Sequence, residues 1–178
     1  GVYCLLRMQA AGQVTVPLSV TEQPVYDLRI LNHWDNPDGT VERGYAGRSL
    51  WNWEELPGTL SPRYEAYARA NASVGINGTV LNNVNASPQV LATSSLEKVK
   101  ALADVFRPYG IKVYLSVNFA SPIQLGKLDT ADPLDKEVIR WWRRKVKEIY
   151  TLIPDFGGFL VKANSEGQPG PCDFGRTH

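Results

Sequence analysis

Four short apolar stretches, each separated from the next by a helix-like segment, constrain this chain most. Residues 25–31 (Val-Tyr-Asp-Leu-Arg-Ile-Leu), 76–81, 111–117 and 157–161 read as strands. Between the first two, Ser61 is an N-cap with Pro62 at the first helical position. Before the third, Ser94 and Glu97 have capping-box spacing, and Leu96, Val99, Leu102, Ala103 and Phe106 share one face up to Gly110. Before the fourth, Asp132-Pro133 opens a helix whose apolar stripe is Leu134, Val138, Trp141, Trp142, Val146 and Ile149. The order β-α-β-α-β-α-β implies a parallel sheet with right-handed crossovers. No Gly-x-Gly-x-x-Gly turn follows the first strand, which argues against a dinucleotide-binding sheet. A partial (β/α)8 barrel, with about the first four units in view, fits better.

Ahead of that pattern, Val14-Thr-Val-Pro-Leu-Ser-Val20 reads as one or two short strands. The division expected is 1–21 as the end of a β-rich domain or a linker, and 22–178 as the N-terminal half of a barrel. The chain lacks an initiator Met and stops in the polar run Gly175-Arg-Thr-His178, so it reads as part of a longer protein. Its first residues lack the basic-then-apolar order of a secretory signal.

Charge narrows the classes. A net charge of +1 and 21% charged residues argue against a nucleic-acid binder. Arg143, Arg144, Lys145 and Lys147 look basic in isolation, but Asp135, Glu137 and Glu148 intersperse them, as on a solvated helix face. No stretch has transmembrane length, so no membrane partner is expected. Two cysteines, Cys4 and Cys172, cannot build a disulfide framework. His33 has no second His or Cys at ligand spacing, so no metal site is expected, and it reads as a hydrogen-bonding or structural residue.

The residues after each strand are unusual. Asn32-His-Trp-Asp-Asn36, Asn82-Asn-Val-Asn85, Asn118-Phe-Ala-Ser-Pro122 and Lys162-Ala-Asn-Ser-Glu166 follow the four strands. Barrel enzymes build their sites there. Asn offers both donor and acceptor to hydroxyls, and Trp offers a flat face, so together these loops suit a polyhydroxylated ligand. For any single Asn, turn chemistry is the commoner reason. A lone carboxylate, Glu166, four residues after a cation, Lys162, suits an acid for a glycosidic oxygen and a partner for an anionic substituent.

Two blocks carry a specific resemblance. Asn32-His-Trp-Asp-Asn-Pro-Asp-Gly-Thr-Val-Glu-Arg-Gly-Tyr-Ala-Gly-Arg-Ser-Leu-Trp51 and Lys162-Ala-Asn-Ser-Glu-Gly-Gln-Pro-Gly-Pro171 closely resemble the α-glucuronidases of glycoside hydrolase family 67. The resemblance covers essentially the whole chain. It implies hydrolysis, with inversion, of the α-1,2 bond between (4-O-methyl)glucuronic acid and the terminal xylose of glucuronoxylan-derived oligosaccharides. It implies no cofactor, and a full-length protein of a kind that is often a homodimer. Glu166 takes the place of the general acid, which must start protonated. Lys162 takes that of a contact to the uronate carboxylate, Trp34 of a pocket wall, and Val84 of an apolar contact near the O4 methyl group. The alternatives are a surface-loop Glu166, an ion-paired structural Lys162 and a core Trp34. Glu42 and Asp35 read as loop-ordering ion pairs. The base for an inverting reaction is expected beyond residue 178, so this chain alone is expected to be inactive and poorly soluble. The rivals are a non-catalytic sugar-binding module and a barrel hydrolase acting on a neutral sugar.

Overall fold

The computed structural model describes residues 2–13, 19–85, 87–165 and 167–177. In chain order the elements are α1 (Val2–Ala10), β1 (Ile30–Asn32), α2 (Pro62–Ser73), β2 (Gly78–Val80), α3 (Thr93–Phe106), β3 (Lys112–Asn118), α4 (Ser121–Gln124), α5 (Lys136–Leu152) and β4 (Gly158–Lys162). Short 3-10 turns cover Pro88–Leu91, Arg107–Tyr109 and Pro171–Phe174. The strands form one parallel sheet in the order β1-β2-β3-β4. That is the α/β class expected from the alternation of elements.

Side-chain alternation along β3 divides the sheet into two faces. Val113, Leu115 and Val117 join the core, where Leu96, Leu102 and Phe106 of α3 and Ile149 of α5 pack. Tyr114 lies on the opposite face and leans over Gly78 and Gly157. A Cβ at those two positions would stand 2.8 and 2.3 Å from its ring, so only glycine fits there. Trp51, 1% exposed, closes the core near β1: its ring stands edge-on to Tyr64 and Tyr67, and its Nε1 donates to the Leu81 carbonyl at 3.1 Å.

Several boundaries differ from the sequence reading. Only Ile30 and Leu31 of the first stretch pair, within β1, while Val25, Tyr26 and Leu28 are exposed and belong to no strand among the described residues. Ser61 caps α2 as expected, its hydroxyl accepting from the Arg63 N–H at 3.3 Å. Ser94 does not cap α3. The helix starts at Thr93 with Ala92 at the cap position and no side-chain cap bond, so Ser94 and Glu97 lie inside the first turns. The cap of α5 is Asp135, not Asp132, and Leu134 is exposed rather than part of the stripe. Gly110 takes a left-handed φ of 71° after the Arg107–Tyr109 turn, the stop expected there.

α1 was not anticipated. Its Arg7 guanidinium reaches the carbonyl of Ser73 at the end of α2, a cation meeting helix C-terminal oxygens. The strands expected within 14–20 fall largely on 14–18, outside the described residues. β4 reads in sequence as a buried strand, yet Leu160 and Val161 are exposed. Among the described residues it pairs on one side only, with β3. No described helix is long and apolar enough to cross a membrane.

Candidate active site

Every βα loop of a parallel sheet leaves at the same end, so residues far apart in sequence gather there. Trp34 follows β1, Val84 follows β2 and Lys162 ends β4. All three line one depression of about 360 Å³, completed by Leu160, Val161, Ala163 and Ser165. Trp34 also walls a second hollow of about 650 Å³, which holds Asn32, Glu42 and Tyr45. Glu166, assigned the acid role by resemblance, lies outside the described residues.

The chain on either side of Glu166 is anchored. Gln168 donates its N–H to the Ser165 carbonyl at 2.9 Å, and its side-chain oxygen accepts from the Asn118 amide at the end of β3. Asn164 sits at a φ of 51°, a conformation its short polar side chain tolerates. Its Nδ2 donates to Asp173 at 2.9 Å, and Asp173 in turn accepts from the Gly170 N–H at 2.7 Å. The loop after β4 is thereby tied both to β3 and to the Pro171–Phe174 turn.

The Asn clusters do less ligand-facing work than the sequence suggests. Asn82 is fully buried: its Nδ2 donates to the Ser116 carbonyl at 3.0 Å and its Oδ1 accepts the Ser116 N–H at 2.8 Å. A side chain here continues the β2–β3 ladder past the end of β2. Asn83, 2% exposed, donates to Asn36 Oδ1 and to the Glu42 carbonyl, both at 3.0 Å. Asn118 Oδ1 accepts from the Ala120 N–H at 2.8 Å. These amides hold loops, the turn chemistry that holds for a single Asn.

Asp35 and Glu42 order the first loop by different means. Asp35 is buried and its carboxylate accepts from Ser49 Oγ and the Leu50 N–H, both at 2.6 Å, so it works by hydrogen bonds rather than an ion pair. Glu42 does reach Arg43, at 3.7 Å. His33 is hydrogen-bonded, one of the two readings expected of it. Its Nε2 lies 2.6 Å from the Tyr67 hydroxyl, which lies 3.0 Å from Thr79 Oγ1. Burial lowers the His33 pKa, opposed in part by the negative charge of Asp35. Burial pushes the Tyr67 phenol up to about 12, so it stays protonated. A neutral His33 can then accept from Tyr67, and Tyr67 from Thr79.

Lys162 is met by an amide. Its Nζ donates to Asn85 Oδ1. Asn85 was one of several strand-end amides in the sequence, and the readable signal for it was the Asn83-x-Asn85 spacing after a strand. No group of three or more His, Cys, Asp or Glu among the described residues could hold a metal ion. Cys4 and Cys172 are not joined in a disulfide.

The fold is that of an α/β protein, and its depression with a cationic and an apolar wall lies beyond the carboxyl ends of parallel strands, where that class usually binds its ligands. Residues 8–178 match the model of the glycosyl hydrolase family 67 middle domain. The chain is 49% identical over 178 residues to a "Probable alpha-glucuronidase A" of Neosartorya fischeri, covering 99% of this chain and 21% of that protein. It is 46% identical over 182 residues to "Alpha-glucuronidase A" of Emericella nidulans, with the same 99% and 21% coverage. An "Alpha-glucuronidase" of Hypocrea jecorina is 49% identical over 160 residues, 86% of this chain and 19% of that one. The chain belongs to glycosyl hydrolase family 67. It spans about a fifth of the length of these curated relatives.

Proposed function

We propose that this chain carries the uronate pocket and the general acid of an α-glucuronidase that removes (4-O-methyl)glucuronic acid from the terminal xylose of xylo-oligosaccharides, with inversion. The observation that carries the reading is the meeting of Trp34, Val84 and Lys162, from three separate loops, in one depression beside Ser165. The names of the relatives supply the glucuronic acid. In this reading residues 22–178 are the first half of a (β/α)8 barrel, preceded over 1–21 by the end of a β-rich domain.

Each residue then has a task. The Lys162 ammonium meets the sugar carboxylate, and a hydrogen bond between charged groups favours a uronate over a neutral hexose. Trp34 offers a flat wall to the ring, and Val84 an apolar contact for the O4 methyl group. Glu166 delivers its proton to the departing xylose oxygen. A water attacks the anomeric carbon from the opposite face, giving up its proton to a carboxylate supplied by another part of the protein. Acid, base and water complete the hydrolysis without a cofactor.

The test uses the full-length protein and an aldouronic acid oligomer, with the product followed by proton NMR. Inversion of an α bond releases the β anomer first, which later mutarotates. Release of the α anomer first would contradict the inverting mechanism. Tight binding without release would favour the sugar-binding module, and equal turnover of a matched glucoside would favour a hydrolase of neutral sugars.

A further inference from the structure

A lysine that must hold a substrate carboxylate poses a physical problem. Its four-carbon stem is flexible, and fixing it costs rotamer entropy. A carbonyl-type oxygen can accept one of the three N–H bonds and leave the charge in place.

The structure supplies that oxygen. Asn85 Oδ1 accepts from Lys162 Nζ across 77 residues of sequence. Asn85 is itself held, its N–H donating to Asn83 Oδ1 at 2.9 Å. Asn83 is fixed three more times: Nδ2 to Asn36 Oδ1 and to the Glu42 carbonyl, and its N–H to the Asp35 carbonyl at 2.8 Å. Asn36 also donates to the Glu42 carbonyl, at 2.8 Å. Glu42 stands at a φ of 58°, within the turn that presents this carbonyl to both amides. A chain of side-chain amides and backbone carbonyls thus runs from the loop after β1, through the loop after β2, to the last residue of β4.

We propose that Asn85 is a positioning residue that aims the Lys162 ammonium at the uronate carboxylate, with Asn83 as the brace that fixes Asn85. This rests on the α-glucuronidase reading. Its consequences concern binding of the charged sugar more than the chemical step, because the interaction exists in ground state and transition state alike.

The experiment measures KM and kcat of the full-length protein on an aldouronic acid oligomer for four variants: Asn85→Ala, Asn85→Asp, Lys162→Ala and the Asn85→Ala/Lys162→Ala pair. Asn85→Ala is expected to raise KM about tenfold with kcat changed by no more than about threefold. Asn85→Asp keeps the shape, so it guards against a folding defect. It should raise KM further at pH 7, and the rise should shrink as pH falls toward about 4 and the new carboxyl is neutralised. In the Lys162→Ala background, Asn85→Ala should add nothing, because the residue it positions is gone. An unchanged KM in Asn85→Ala beside a raised KM in Lys162→Ala overturns the inference and spares the function. A full Asn85→Ala effect persisting without Lys162 also overturns it, as a merely structural role. Absence of glucuronic acid release from the wild-type protein overturns the function itself, and this inference with it.

Discussion

Asn82, at residue scale, shows how a polar side chain can act as backbone. Its amide takes both the N–H and the carbonyl of Ser116 in a site without solvent. Asn82→Ala would leave two buried backbone groups without partners, and it is expected to destabilise the protein by about 3 kcal/mol in urea unfolding. A loss below about 1 kcal/mol would mean that Ser116 finds other partners. His33 gives a pH signature. Its folded pKa is depressed by burial below the ordinary 6.5, so the unfolded chain takes up a proton first as pH falls. The stability is fully present above about 6.5 and is lost as pH drops through the depressed folded value. His33→Gln should therefore show a smaller fall in unfolding free energy between pH 7 and pH 5 than the parent. Equal falls would exclude His33 as the source. The sequence displayed Asn at every strand end without revealing which amides were committed to partners within the protein. That depends on partners 34 to 50 residues away.

At the scale of elements, helix faces were readable and ends were not. The stripe Leu96, Val99, Leu102, Ala103 and Phe106 is buried throughout, because a 3.6-residue period needs only local sequence. Capping was ambiguous wherever two suitable residues lay close together. Asp132 precedes a proline and looks like the start of α5, yet its carboxylate pairs with Arg176 at 2.8 Å and accepts the Leu134 N–H at 2.9 Å. Asp135 accepts from the N–H groups of Glu137 and Val138, at 2.8 and 3.1 Å, and so caps the helix. Asp135→Ala should cost about 1 kcal/mol, and Asp132→Ala less, since it breaks a solvent-facing pair. Thermal unfolding of the two variants would decide, and the reverse order would contradict this assignment. Strand lengths were overestimated for a related reason. At the start of β2, Asn77 Oδ1 accepts the Arg29 N–H at 2.8 Å, and beyond its end Asn82 takes over the ladder. Side chains perform at both ends what the sequence pattern assigned to longer strands.

The molecule as a whole explains why the strand-end loops gather. A parallel sheet sends every strand-end loop to one side, so an order of elements read from sequence already places Trp34, Val84 and Lys162 near one another. The contact between Lys162 and Asn85 was not readable, because it depends on how two loops bend after their strands. The central claim is that this pocket serves an enzyme whose leaving group is protonated by Glu166. Its most direct test compares Glu166→Gln with wild-type full-length protein on two substrates: an aldouronic acid oligomer and a nitrophenyl α-glucuronide whose leaving group needs no proton. The account predicts a loss of about a hundredfold or more on the oligomer and a far smaller loss on the aryl glucuronide. Equal losses on both, or none on the oligomer, would contradict it.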